Sequence, residues 1–374
     1  MTVLLLLAAD VHADFPAFRV HQLNPEATFT SCAAIDVDHD GKLDVVSGGW
    51  WYQAPDWKKH FLREVEMIRG RYDDYSNLPL DVNGDGWTDI ISANYRSETL
   101  YWIEHPGAKL GPWTAHVIEK PGPMETARLF DIDGDGWLDV LPNGTQFSAW
   151  WELVTEPTAG DKPAFRWARH ELPSELAAHG VGFGDIDGDG RGDLVSPAGW
   201  MKAPEDPRRG RWLWQPEFRL HRDGSIPMLV FDVDDDGDND IVYGRGHQTG
   251  LYWVEQVRGA ASHPNPLSQG EGTKRRWVRH AIDTSWSQAH SLMLGDMDND
   301  GRIELIAGKR FLGHDGRDLG EWDPMVIYSY TFERDPRTWT RNTITTNDAA
   351  GFDLDPKLAD MDGDGDLDIL GATR

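Results

Sequence analysis

Short apolar runs recur along the chain, each broken by an acidic, glycine-bearing segment. Ala33 to Ile35 and Leu229 to Phe231 precede such segments, and DVVSG (44–48), DIISA (89–93), DLVSP (193–197), DIVYG (240–244) and DILGA (368–372) follow them. Runs of this length, rich in Val and Ile and bounded by turn residues, predict strands rather than helices. Two further strand-like runs lie between successive acidic segments. The third strand is aromatic: LYWIE (100–104), AWWEL (149–153), Arg211 to Trp214, LYWVE (251–255) and Met325 to Tyr330. The fourth carries an aromatic residue followed three positions later by His. Its copies are Phe18–His21, Trp57–His60, Trp113–His116, Trp167–His170, Phe218–His221 and Trp277–His280, with Trp339–Asn342 as the variant.

The acidic segment is a nine-residue motif, DxDxDGxxD, present seven times. Its positions 1, 3, 5 and 9 are Asp36, Asp38, Asp40 and Asp44; Asp81, Asn83, Asp85 and Asp89; Asp131, Asp133, Asp135 and Asp139; Asp185, Asp187, Asp189 and Asp193; Asp232, Asp234, Asp236 and Asp240; Asp296, Asp298, Asp300 and Glu304; and Asp360, Asp362, Asp364 and Asp368. Oxygen donors at these positions, with Gly at position 6 for a sharp turn, suit a hard cation, and calcium is expected at up to one per repeat. An EF-hand would close with Glu at position 12 between helices; here position 12 is Ser47, Ser92, Pro142, Ser196, Tyr243, Ala307 or Gly371, and the flanks read as strands.

Successive first aspartates are 45, 50, 54, 47, 64 and 64 residues apart, the scale of a four-stranded propeller blade. Seven loops and seven fourth strands predict an all-β, seven-bladed β-propeller with one cation loop per blade over residues 14–374. The first fourth strand precedes the first loop, so the N-terminal segment is expected to complete the last blade and remove its open edge. Residues 1–13 read in two ways. The apolar run ending Val-x-Ala at Ala13 fits a signal-peptide remnant, although it lacks a basic n-region, and Val3 to Ala8 fits the closing strand.

The net charge of −27 opposes binding to nucleic acid, and no run is long enough to span a membrane. Much of that acidity is internal counter-charge: seven divalent ions, bringing fourteen positive charges, would move the net charge from −27 to −13. One cysteine, Cys32, excludes an intramolecular disulfide. Calcium loops fit a calcium-rich exterior, so a secreted, periplasmic or extracellular location is expected; oligomeric state is not legible.

On the motif DxDGDGxxD the chain resembles the VCBS and FG-GAP-like repeat proteins, whose propellers carry loops of this type, as do integrin α-subunit heads. Literal Phe-Gly and Gly-Ala-Pro signatures are absent, which weakens an integrin-type adhesion reading. In repeat style the chain is also similar to the calcium-loaded propellers of polysaccharide lyases and of fungal aldos-2-ulose dehydratase. The resemblance implies a propeller and calcium; it does not assign a reaction.

Chemistry is expected where the repeats disagree. If the loop joins strands one and two at one face, residues before strand one and after strand two rim the opposite face. Six positions before each first aspartate stand Thr30, Tyr75, Glu125, His179, Ile226, His290 and Leu354, and after the second strands come Trp50, Trp51, Arg96, Trp200, His247, Lys309, Arg310 and His314. Segment 308–324 reads as a long functional loop. Four histidines, 179, 247, 290 and 314, fall on this face and suit either an additional divalent metal or acid–base work. The expected activity is carbohydrate lyase or dehydratase chemistry, with Tyr75, Glu125, His179, His290, Lys309 and His314 as catalytic candidates. Trp50, Trp51, Arg96, Trp200, His247 and Arg310 are the substrate-binding candidates. Overall charge favours a neutral sugar over a uronate polymer. The alternative is a non-catalytic propeller that binds glycans or a protein partner through the same face.

Overall fold

In the computed structural model the described residues are 2–9 (backbone), 15–156, 164–258, 275–347 and 350–373. They form an all-β propeller. Six blades are each a four-stranded antiparallel sheet made from one continuous run of chain, spanning residues 33–61, 78–119, 124–171, 182–215, 229–287 and 289–345. A further four-stranded sheet is composite: Thr2–Ala9 lies between Ala17–Asn24 and Asp368–Thr373, with Lys357–Ala359 innermost. That innermost strand packs against Ala289–Gly295 on one side and Ala33–Ile35 on the other. The sequence predicts seven equivalent units; the structure has six continuous blades and one sheet of different construction. Within segment 1–13, residues 2–9 are this paired strand, and residues 1 and 10–13 lie outside the described residues. Among the described residues no helix is long and apolar enough to cross a membrane.

The core lies between blades. One cluster packs Ala33, Val46 and Trp51 of the first blade against Ile90, Tyr101 and Trp113 of the next. The repeated fourth-strand histidine has a packing role there. His60, His116, His170 and His280 sit directly across from Trp51, Trp102, Trp150 and Trp253, with ring centroids 4.4, 4.6, 4.1 and 4.6 Å apart. Each also bonds the side chain two positions beyond that tryptophan: Gln53, Glu104, Glu152 or Glu255. Aromatic stacking with a satisfied polar edge accounts for these residues without a site.

Two expectations about strand order are corrected. Ser47 pairs with Trp50 and Ser196 with Gly199, so the second and third strands are joined by tight turns. Trp50, Trp51 and Trp200 therefore lie in third strands, not in face loops, and Trp51 and Trp200 are buried. For the same reason Arg211 to Trp214 is not a third strand; Leu213–Gln215 is the fourth strand of its blade.

The acidic loops connect first and second strands at one end of each blade. Register places their opposite ends together: Phe130 faces Asp139 beside the loop, while Met124 faces Gly144 six residues away. The seven loops share an internal bonding pattern. In the first, Asp36 accepts from the amides of Asp40 and Gly41, and Asp44 accepts from Val37 and Ala54. Position 9 is thus a buried clamp whose two oxygens face backbone donors, repeated at Asp89 with Val82 and His105 and at Asp193 with Ile186 and Ala203. Burial pushes the Asp44 carboxyl up to about 6, those of Asp89 and Asp193 to about 7 and that of Asp139 to about 8.

Candidate metal centre and pocket

The end of the propeller opposite the acidic loops gathers the residues that diverge between repeats. Glu125, His179 and His290 enter from the starts of three blades, and His247 from the turn after a second strand. One ligand atom from each lies within 4.8 Å of all the others. Glu125 Oε2 is 2.9 Å from His179 Nε2 and 3.5 Å from His290 Nε2, and His247 Nε2 is 2.9 Å from His179 Nε2.

The far side of two rings is fixed by acceptors. His179 Nδ1 donates to the Gly224 carbonyl at 2.7 Å, and His247 Nδ1 donates to Asp318 Oδ2 at 2.8 Å. Both arrangements leave Nε2 turned toward the cluster, as outer partners of metal-ligating histidines do. His290 is fully buried, and neither ring nitrogen has a hydrogen-bond partner among the described residues. Two Nε2 atoms 2.9 Å apart beside a buried, unbonded imidazole need a shared proton or a shared cation. Donor atoms about 2.1 Å from one tetrahedral ion lie roughly 3.4 Å apart, near the 2.9 and 3.5 Å separations of this donor set. Three imidazoles and one carboxylate suit zinc or another first-row divalent ion, not calcium, which takes oxygen donors.

Burial and mutual charge shift every member of the cluster. Burial works against the Glu125 carboxylate, but His290 and His179 outweigh it and hold its pKa well below the usual range. Burial likewise lowers His179, and there the Glu125 charge wins and raises the ring. Burial leaves His290 well below the usual imidazole value, and burial together with His179 lowers His247.

Above the cluster lies a cavity of 390 Å³ lined by Arg71, Tyr75, Arg96, Arg310, His314 and Arg317 together with Glu125, His179 and His247. Arg310 is buried between Glu125 at 3.0 Å and Asp353 at 2.7 Å. Arg96 Nε donates to the Tyr75 hydroxyl at 3.1 Å, and burial raises the Tyr75 pKa, so the phenol keeps its proton. His314 is exposed at the rim, its Nδ1 2.7 Å from Asp318.

Of the sequence candidates, Tyr75, Glu125, His179, His290, Arg96, His247, Arg310 and His314 come together here. Others go elsewhere. Lys309 is buried, with Nζ donating to the Arg310 carbonyl, and it does not line the cavity. Trp50 packs edge-on against Phe61 under Lys59, Trp51 stacks on His60, and Trp200 is in a core cluster. Thr30, Ile226 and Leu354, the other members of the counted series, are buried away from the pocket. Sequence reasoning missed Asp318, which joins His247 to His314, and the cavity residues Arg71 and Arg317. Asp318 and Arg317 lie in the long loop singled out for its lack of strand pattern, and that was their only signal.

The acidic loops also differ among themselves. Arg208 reaches Asp133 at 2.7 Å and Asp135 at 2.5 Å, Lys202 bonds Asp187 and Asp189, and Arg337 lies 2.7 Å from Asp234. Among the described residues, cations from outside the motif thus share three of the seven loops, while Lys42 and Arg302, inside theirs, pair with Asp40 and Asp300.

Fold and site together define a β-propeller whose one face carries acidic turns and whose other carries a histidine-rich polar pocket. Residues 81–141 match the FG-GAP-like repeat family. Integrin alpha-PS3 of Drosophila melanogaster is 30% identical over 166 residues, covering 37% of this chain and 14% of the integrin's own length. Among solved structures, an Agrocybe aegerita lectin described by its recognition of non-reducing terminal N-acetylglucosamine aligns over 93% of this chain and 91% of its own, with 15% identity and a TM-score of 0.49. The V. cholerae biofilm matrix protein Bap1 aligns over 100% of this chain and 81% of its own, with 12% identity and a TM-score of 0.39. Both scores are too low for either structure to bear on ligand or mechanism.

Proposed function

We propose that this protein is a secreted, calcium-stabilised propeller that acts on carbohydrate at a transition-metal centre held by Glu125, His179, His247 and His290, as a carbon–oxygen lyase or dehydratase. The composite sheet is, in this reading, the seventh blade that closes the ring. The observation that carries the site is the pair of inward-facing Nε2 atoms 2.9 Å apart, each ring locked from behind and opening onto a cavity. A divalent ion bound there would polarise a ligand oxygen and acidify the neighbouring C–H. Around it, His314 is the base, oriented by Asp318 and free at Nε2 to take the carbon-bound proton. The electron pair forms the double bond as the C–O bond breaks, and the protonated Tyr75, steadied by Arg96, gives its proton to the departing oxygen. This differs from assigning the base to His179 or His290, whose Nε2 atoms face the cluster.

The test combines metal analysis with a product assay for new unsaturation on oligosaccharides. Tyr75→Phe and His314→Gln should each slow the metal-loaded protein roughly 10²- to 10⁴-fold while leaving metal content unchanged. Full activity in both variants would overturn the lyase assignment, and sugar binding without any product would favour the non-catalytic glycan-binding propeller.

A further inference from the structure

Arg96 is held in place on one side only. Its Nη1 donates to the carbonyls of Ile68 and Arg69 at 3.2 and 2.8 Å, and its Nε donates to Tyr75 at 3.1 Å. A guanidinium has five N–H groups. Those bonds use three, and among the described residues nothing bonds Nη2. No carboxylate pairs with Arg96 among the described residues, and the same holds for Arg317 on the same cavity wall. The other two cavity arginines are neutralised, Arg71 by Asp315 at 2.8 Å and Arg310 by Glu125 and Asp353. In a molecule of net charge −27 with 63 acidic residues, two arginines at one small pocket have no counter-ion among the described residues.

We infer that the pocket takes a small carboxylate-bearing ligand, seated on Arg96 Nη2 and Arg317 with its remaining oxygens toward the histidine cluster. This departs from the expectation of a neutral sugar and rests on the reading of this cavity as the ligand site. Planar Arg forks match carboxylates, and a preformed, partly engaged guanidinium loses little freedom on binding. The nearby carboxylates of Asp315 and Asp318 disfavour a dianion such as a phosphate ester. The cavity of 390 Å³ sits at the small end of small-molecule sites, which fits a sugar acid or short oligomer end.

Calorimetric titration of the full chain with glucuronate, glucose and glucose 6-phosphate tests this, with zinc titrated in parallel. Glucuronate should bind at least about tenfold more tightly than glucose, and Arg96→Gln and Arg317→Gln should each weaken glucuronate roughly ten- to hundredfold, with glucose binding unchanged in Arg317→Gln. Arg317 is exposed, so its variant reports even if Arg96→Gln disturbs the 68–69 turn. Equal binding of glucuronate and glucose, or undiminished glucuronate binding in both variants, would overturn the inference, and tighter binding of the phosphate ester would overturn the choice of carboxylate. Zinc uptake separates the two readings. Uptake intact with no preference for glucuronate defeats the anion subsite alone; no uptake with the preference intact defeats the metal centre and leaves the subsite standing.

Discussion

His221 shows how one residue can serve the fold where its counterparts in other repeats look the same in sequence. It is the fifth copy of the aromatic-x-x-His motif, but its partner is the Tyr243 hydroxyl at 2.8 Å, not a carboxylate. Burial lowers its pKa to about 4, with Arg245 and Arg279 adding to the effect. The folded value lies below the free value of 6.5, so the ring stabilises the fold fully above pH 6.5 and loses that contribution as pH falls toward 4. Melting temperature should decline over that window, and His221→Gln should flatten the decline; an identical slope in the variant would refute the assignment. Asp318 makes a second residue-scale case. Its carboxylate fixes His247 and His314 but lies outside the proposed ligand set, so Asp318→Asn should lower zinc affinity roughly 10- to 100-fold while leaving thermal stability of the metal-free protein unchanged. Competition with a chromogenic chelator measures the first, and calorimetry the second. Little of this was legible beforehand, because a histidine's partner depends on which strand turns toward it, not on its own repeat.

At the scale of elements, the strands and their loops were largely readable from the alternation of apolar runs and acidic turns. The misplacements have one cause. A hairpin as tight as Ser47 to Trp50 leaves no loop for the sequence to show, so Trp50, Trp51 and Trp200 looked like rim residues when the sheet had already taken them into packing. The inner rim was hidden for another reason. Asp74 is fully buried and accepts from Arg63 at 2.9 Å, Ser31 at 2.6 Å and Asn77 at 3.3 Å, tying segments from two blades and the link between them. Removing one member of such a pair strands a buried charge. Arg63→Leu should therefore cost about 3–5 kcal/mol in a urea unfolding experiment, whereas a loss under 1 kcal/mol would mean that water screens the pair.

For the whole molecule, the acidic face and the histidine face answer to different ions, and this is where the two proposed metals can be told apart. Clustered carboxylates repel without a cation, and a ligand that binds only the folded state stabilises it by mass action. EDTA should lower the melting temperature by several degrees, calcium should restore most of it, and zinc, acting only at the histidine face, should restore less; an unchanged melting curve would mean that the acidic loops stabilise the fold without calcium. The loops shared with Arg208, Lys202 and Arg337 should contribute least, since protein cations already meet their charge. By itself the sequence determined the repeat, its strand content, the acidic turns and the face on which to look, because each is a local pattern copied along the chain. Only the tertiary structure decided that Glu125, His179, His247 and His290 meet around one point, that Asp44, Asp89 and Asp193 at position 9 of their loops are backbone clamps, and that Arg96 and Arg317 stand without counter-ions among the described residues. Those facts depend on how blades from distant parts of the chain converge on one axis, and no spacing within a single repeat records that convergence.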